Sequence, residues 1–278
     1  MIRSQKGTHD LLPSEIGKWH KVEALLRDIF LHFSYEEIRT PLFEKTALFA
    51  RGIGEFTDIV SKEMYTFQDK GKESLTLRPE YTASVVRSYI QHNRQQLGHL
   101  HRVWYMGPLF RQERPQKGRQ RQFHQFGVEC IGAEGAQADA EVITLAWKTY
   151  ENLGLKKIEL KINSIGSADA RKEYIKILRN KLKSKLEDFC PLCQERFEGN
   201  TLRLFDCKNE TCGELMRDFA PHITDHISGE DKVHFKHVQS LLAAADIPFT
   251  LDTGLVRGLD YYTRTTFEIQ GKTLGAQD

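Results

Sequence analysis

Residues 102–132 read RVWYMGPLFRQERPQKGRQRQFHQFGVECIG. The first part, RVWYMGPLFRQE (102–113), is aromatic and apolar and suits a strand. RPQKGR (114–119) carries Pro and Gly and suits a loop, and RQFHQFGVECIG (121–132) suits the returning strand. The stretch therefore predicts an antiparallel hairpin. Strand alternation then puts Arg111 and Glu113 on one face of the first arm. It puts Phe123, Gln125, Gly127 and Glu129 on one face of the second. Around the loop, Arg111, Arg114, Lys117, Arg119 and Arg121 meet a single carboxylate, Glu113. One reading is a solvated tip whose charge discourages edge pairing. Two details favour a bound anion instead. Four of the five cations are arginines, whose fork matches phosphate. Arg111 also follows directly on the apolar run, where a buried cation needs an anionic partner. A phosphate with an adenine ring stacked nearby is the natural candidate.

Outward from the hairpin the pattern is mixed. Ser14–Phe33 carries Ile16, Trp19, Val22, Leu26, Ile29, Phe30 and Phe33 at helical spacing, with Pro13 ahead of it. Residues 34–45 turn extended, and MYTF and SLTLRP flank a DKGKE turn in a second hairpin. TASVVRSYIQHN (82–93) and Asp139–Leu153 read as helices, and KKIELKIN (156–163) as a strand. From about Ala168 a basic amphipathic helix begins, with Ile175, Leu178, Leu182, Leu186 and Phe189 as its apolar stripe. A cysteine cluster follows. Ordinary globular sequence resumes near Asp231, with a helix over 233–246 and then, in 247–271, two strands around a turn. The class is α+β, an antiparallel sheet flanked by helices with a helical insertion at 168–230.

The chain has 278 residues and a formal net charge of +2, which permits a basic cleft but excludes a general polycation. No apolar run is long enough to cross a bilayer, and MIRSQKGTHDLLP has no signal core, so no membrane partner and a cytoplasmic location are expected. No Walker or dinucleotide glycine loop occurs, so any nucleotide rests on arginines of a sheet. Cys190, Cys193, Cys207 and Cys212 give C-x2-C-x13-C-x4-C, a spacing that resembles a four-cysteine zinc site. Four reduced cysteines in an insertion that folds without metal are the alternative.

QKGTHDLLP, YEEIRTPLFEKTALFARGIGEFTDIVSKEMYTFQD, TLRPEYTA, GPLFRQERPQKGRQRQFHQFGVECIG and LVRGLDYYTRTTFE together resemble the class II aminoacyl-tRNA synthetases, and specifically the histidyl-tRNA synthetase family. These segments correspond to the family's N-terminus, motif 1, amino-acid loop, motif 2 and histidine signature. The resemblance implies that Arg111 grips the α-phosphate of ATP, with Glu113 on the adenine side and Arg119 at the outer phosphates. It implies that Glu80 binds the α-ammonium of histidine, that Gln125 lies by the amino acid, and that Glu129 and Tyr262 line the imidazole pocket. It also implies that Arg257 contacts the histidine, reaches the α-phosphate from the opposite side and, with Arg111, is catalytic. The implied substrates are histidine, ATP and tRNA(His), with Mg2+ on the phosphates and a homodimer formed through motif 1. Gln116 and Arg121 are expected to touch the tRNA acceptor end. On the basic helix Arg171, Lys172, Lys176 and Arg179 would contact its stem, although a solvated helix explains that charge equally well.

The resemblance divides the chain into a first core part, 1–167, the insertion, 168–230, and a second core part, 231–278. Family members continue into motif 3 and an anticodon-binding domain, so the expectation is a truncated, poorly active fragment. Two rivals come from other classes. A regulatory paralogue of the synthetase, acting on a phosphoribosyltransferase of histidine synthesis, would not need Arg257 or the basic hairpin. A non-catalytic RNA-binding module would not bring Glu80, Gln125, Glu129 and Tyr262 together.

Overall fold

Pro13 fixes the backbone at the first turn of helix α1, Pro13–His32, where its missing N–H costs nothing. The helix ends where Ser34 takes a positive φ and the Tyr35 N–H donates back to the Phe30 carbonyl at 2.9 Å. Strands β1, Glu36–Glu37, and β2, Phe43–Lys45, follow, then helix α2, Thr46–Ile53. Strands β3, Tyr65–Gln68, and β4, Ser74–Leu77, form the smaller hairpin, and helix α3 spans Thr82–Gln91. The long hairpin is β5, His101–Phe110, and β6, Gln122–Ile131. After it come helix α4, Ala136–Asn152, and strand β7, Ile158–Ser164. The rest is mostly helical: α5, Ala168–Leu182; α6, Pro191–Gly199; α7, Glu210–Phe219; α8, Ile223–His226; and α9, Gly229–Ala244. Two strands close the order, β8, Thr250–Leu251, and β9, Thr265–Gly271. This computed structural model describes residues 2–53, 57, 59–98, 100–256 and 262–271.

The described strands form three sheets, ordered β1-β5-β6, β2-β4-β3 and β8-β7-β9. In the first, β5 and β6 are antiparallel in unbroken register from His101↔Ile131 to Phe110↔Gln122. Its two faces separate by sequence parity. Trp104, Met106, Phe126, Val128 and Cys130 turn to one side and pack with Leu26, Ile29 and Phe30 of α1 and Leu145 of α4. Val103, Tyr105, Leu109, Phe123 and Ile131 turn to the other, with Tyr81 and Val85. Burying a side chain such as Phe30 contributes roughly 1.5–3 kcal/mol, so the first face anchors the hairpin.

The strands of the long hairpin end at Phe110 and Gln122, short of the expected arm, with one further bond from the Arg111 N–H to the Arg121 carbonyl at 2.9 Å. From Gln112 on, the backbone finds other partners. The Gln112 N–H donates to Glu63, and the Arg121 and Gln122 N–H groups both donate to the Gly7 carbonyl. At the tip, Gln116 and Arg119 bridge around Lys117 and Gly118, with Gly118 at φ +79°. Both strands expected in 247–271 are present, as β8 and β9, but they are not neighbours in their sheet. Strand β7 lies between them, paired in parallel with β8. Its apolar residues Leu160 and Ile162 are buried, so the central place falls to it.

The described residues group into two compact units. One draws on Met1–Glu134 and Glu141–Ile158, the other on Gly135–Ala140 and Glu159–Gln270. The core of the second joins Tyr174, Leu178 and Leu182 of α5 to Phe197, Leu204, Met216, Ile223 and Ile227. Tyr174, outside the stripe read from sequence, is fully buried and donates to the Pro221 carbonyl at 2.6 Å. Ser167, Asn209 and Ser228 cap α5, α7 and α9 with their side chains. No helix among the described residues is long and apolar enough to cross a membrane.

Candidate active site

The inner face of the long hairpin is built by two glycines. Gly127 leaves the room that the Tyr105 ring occupies: a Cβ on Gly127 would stand 2.5 Å from the Tyr105 hydroxyl oxygen. Gly107, opposite Gln125 in the register, likewise admits the Tyr81 hydroxyl and the Arg78 guanidinium. The Tyr81 and Tyr105 rings therefore stack on this face with centroids 4.1 Å apart. Arg78 is buried and binds the segment together. Its Nε donates to the Pro108 carbonyl at 3.0 Å and its Nη1 to the Thr40 carbonyl at 2.8 Å, while Nη2 donates to the Tyr81 hydroxyl. Residues 78–82 are thus clamped against the end of β5.

That clamp brings Glu80 and Glu129 into one environment. Thr82 Oγ1 donates to Glu129 Oε1 at 2.7 Å, and the Tyr105 hydroxyl donates to the same oxygen at 3.2 Å. Glu129 Oε2 takes no hydrogen bond among the described residues. Burial pushes the Glu129 carboxyl up to about 7; the Thr82 and Tyr105 hydrogen bonds oppose the shift and the Glu80 charge adds to it. Glu80 accepts from the Ala83 N–H at 2.9 Å, and burial raises its carboxyl above the ordinary range as well. Two acidic groups held this way favour a ligand with cationic or donor groups to receive. Gln125, half-buried, lies on the same strand face as Glu129.

The arginines stand at the open end of the hairpin. Arg111 Nε donates to the Pro79 carbonyl at 3.0 Å, and its guanidinium lies 5.3 Å from the centre of the Phe123 ring. Glu113 sits between two guanidinium groups, 3.1 Å from Arg119 and 3.8 Å from Arg111. The sequence reading brings together Arg111, Glu113 and Arg119 at this end and Glu80, Gln125 and Glu129 within the face. It passes over Thr82, Tyr105 and Arg78. The pairing of Tyr105 with Gly127 was the available signal for Tyr105, since directly paired residues share a face.

Gln116 is exposed at the hairpin tip, while Arg121 is held by its backbone to Gly7 and by its side chain to the Glu113 carbonyl at 3.4 Å. Tyr262 packs on the core of the second unit. Arg257 lies outside the described residues. The basic helix divides. Arg171 donates to the Tyr262 carbonyl, and Arg179 donates to Thr201 and Glu198, both at 2.8 Å. Lys172 and Lys176 are exposed and, among the described residues, pair only with Asp169 and Glu173 one turn away. The four cysteine sulfurs lie within 4.8 Å of one another.

A family model described as histidyl-tRNA synthetase matches residues 7–277. The chain belongs to the histidyl-tRNA synthetase family. It is 50% identical over 276 residues to a histidine–tRNA ligase of Desulfitobacterium hafniense, covering 99% of this chain and 65% of that protein. It is 51% identical over 272 residues to one of Moorella thermoacetica, covering 98% of this chain and 64% of that one. The chain therefore spans about 65% of the length of the curated relatives it matches. Among solved structures, the apo histidyl-tRNA synthetase of Staphylococcus aureus is 42% identical with a TM-score of 0.77, over 97% of this chain and 61% of that one. A Bacillus halodurans protein described as an ATP phosphoribosyltransferase regulatory subunit/histidyl-tRNA synthetase has a TM-score of 0.71 at 21% identity, over 99% of this chain and 74% of that one, a likeness of fold alone. The α+β class expected from the sequence is that of the histidyl-tRNA synthetase fold.

Proposed function

We propose that the protein carrying this chain activates histidine with ATP and transfers it to the 3′ end of tRNA(His), and that the inner face of the β5–β6 hairpin receives the amino acid. The observation that carries this reading is Glu129, a half-buried carboxyl with one oxygen held by two neutral hydroxyls and the other without a hydrogen bond among the described residues, left to a ligand. An imidazole N–H is the donor that fits it. Glu80 would take the α-ammonium, and Gln125 would lie by the amino acid. The substrate's carboxylate then attacks the α-phosphate of ATP in line, and pyrophosphate leaves. Next, the terminal hydroxyl of tRNA attacks the mixed anhydride.

The chain's own residues position the reactants and meet charge as it develops. Arg111, braced by the Pro79 carbonyl, lies next to the amino-acid loop and would hold the α-phosphate. ATP would draw Arg119 away from Glu113 to its outer phosphates and leave Glu113 beside the adenine. Mg2+, when bound, neutralises phosphate charge. It needs few protein ligands, since it keeps several waters and binds substrate phosphates. Arg257 and Tyr262 complete the reading by resemblance to the family, as does a cytoplasmic location. Residues 168–230 are read as an insertion that contacts tRNA through Lys172 and Lys176, with Gln116 and Arg121 toward the acceptor end. By resemblance to the family a second copy joins through motif 1, where Leu42 and Phe43 are exposed.

Histidine-dependent ATP–pyrophosphate exchange tests the reading. Arg111→Ala in the protein carrying this chain should abolish exchange while histidine still binds. Exchange at the wild-type rate, or dependence on a different amino acid, would refute it.

A further inference from the structure

We infer that Cys190, Cys193, Cys207 and Cys212 form a closed tetrathiolate site for one structural Zn2+, which holds α6, the 3-10 turn Thr201–Asp206 and α7 together. This is independent of the histidine site, so its failure would leave that reading intact. A zinc ion with four sulfur ligands at about 2.3 Å requires sulfurs separated by about 3.8 Å. The four Sγ atoms all lie within 4.8 Å of one another, and Cys190 and Cys207 are 3.9 Å apart. Small contraction would bring this set to tetrahedral ligation.

Backbone donors point at two of the sulfurs. The Cys190 N–H donates to Cys212 Sγ at 3.3 Å, and the Asn209 N–H donates to Cys207 Sγ at 3.4 Å. A neutral thiol is a weak acceptor, whereas a thiolate rewards such donors. Cys190 is the N-cap of α6 and Cys193 lies in its first turn, while Cys212 lies in the first turn of α7. Two helix N-termini therefore direct their positive ends at the cluster, where negative sulfur would otherwise be costly. Thiols acting only as small apolar side chains would have no reason to converge on one point with backbone donors aimed at them. All four are free of disulfides.

A soft, tetrahedral four-sulfur set selects zinc among divalent ions with no open position for water. The ligands come from short pieces, α6 with nine residues and α7 with ten, which are too short to hold helix by themselves. Binding displaces thiol protons, and part of its free energy becomes folding free energy of the second unit.

The test is metal analysis and Co2+ substitution on the chain purified under reducing conditions. The expected result is one zinc per chain and, after exchange, the thiolate-to-cobalt charge transfer and red-visible bands of tetrahedral sulfur ligation. Chelation should reduce hydrogen-exchange protection across 190–219 and leave β5 and β6 protected. Cys190→Ser and Cys207→Ser, at the half-buried ligands, should each weaken metal binding at least about tenfold. Cys130→Ser, outside the cluster, should bind metal as the wild type does. Absence of cobalt–thiolate absorption in the wild type, with four thiols reacting freely, would overturn the proposal, as would a disulfide within the set. The cobalt spectrum does not depend on any variant folding.

Discussion

Glu129 is acidic where burial makes acidity expensive, and that cost is measurable. Its carboxyl titrates near 7 in the folded chain against an ordinary value of 4.5. Between those values the folded state holds the proton more tightly than the unfolded state does. The group therefore makes stability fall as pH rises from about 4.5 to 7. Glu129→Gln should remove this loss. Thermal or urea unfolding should show the variant more stable above pH 7, by up to about 2–3 kcal/mol, and close to wild type below pH 4.5. A carboxylate that costs stability in the free protein is what a ligand site requires. Gly127→Ala acts on the same geometry from the other side. Its methyl would meet the Tyr105 hydroxyl, so the ring must move and its hydrogen bond to Glu129 must lengthen. Unfolding should register about 1–3 kcal/mol of destabilisation, and histidine affinity should fall with it.

At the scale of elements, Arg78 couples residues 78–82 to the end of β5. Arg78→Ala would leave the Pro108 and Thr40 carbonyls without this donor. A loss of about 2–3 kcal/mol is expected by denaturant unfolding, and histidine binding should weaken because Glu80 and Thr82 lose their placement. On α5, Arg171 and Arg179 brace the second unit from within, so changing them would confound stability with RNA binding. The exposed pair offers the cleaner experiment. Lys172→Ala with Lys176→Ala should leave ATP–pyrophosphate exchange unchanged. It should flatten the salt dependence of tRNA binding, with the slope reduced by about 1.4–1.8 if both side chains meet phosphate. An unmoved slope would mean that this face of α5 is solvated only.

For the whole molecule, legibility in the sequence followed locality. The β5–β6 hairpin could be read directly, because alternation, a Pro/Gly loop and register all lie within residues 102–132. Its two faces could be read from the same alternation. The order β8-β7-β9 could not, because Lys161 pairs with Thr250 across the whole helical segment between them, and no local pattern marks that partner. Residues 247–271 showed two strands around a turn, without the strand that lies between them. Within the site, the carboxylates and arginines were visible as charge in apolar surroundings. Thr82, Tyr105 and Arg78 were not, since their roles arise from the packing of residues 78–82 onto a distant strand. The central claim is that this inner face recognises histidine through Glu129. Isothermal calorimetry of histidine binding to the wild-type chain and to Glu129→Gln tests it most directly. Loss of a charged hydrogen bond should weaken binding by about 1.5–3 kcal/mol, roughly 10- to 150-fold. Equal affinities for the two proteins, with clear heats in both, would contradict the account.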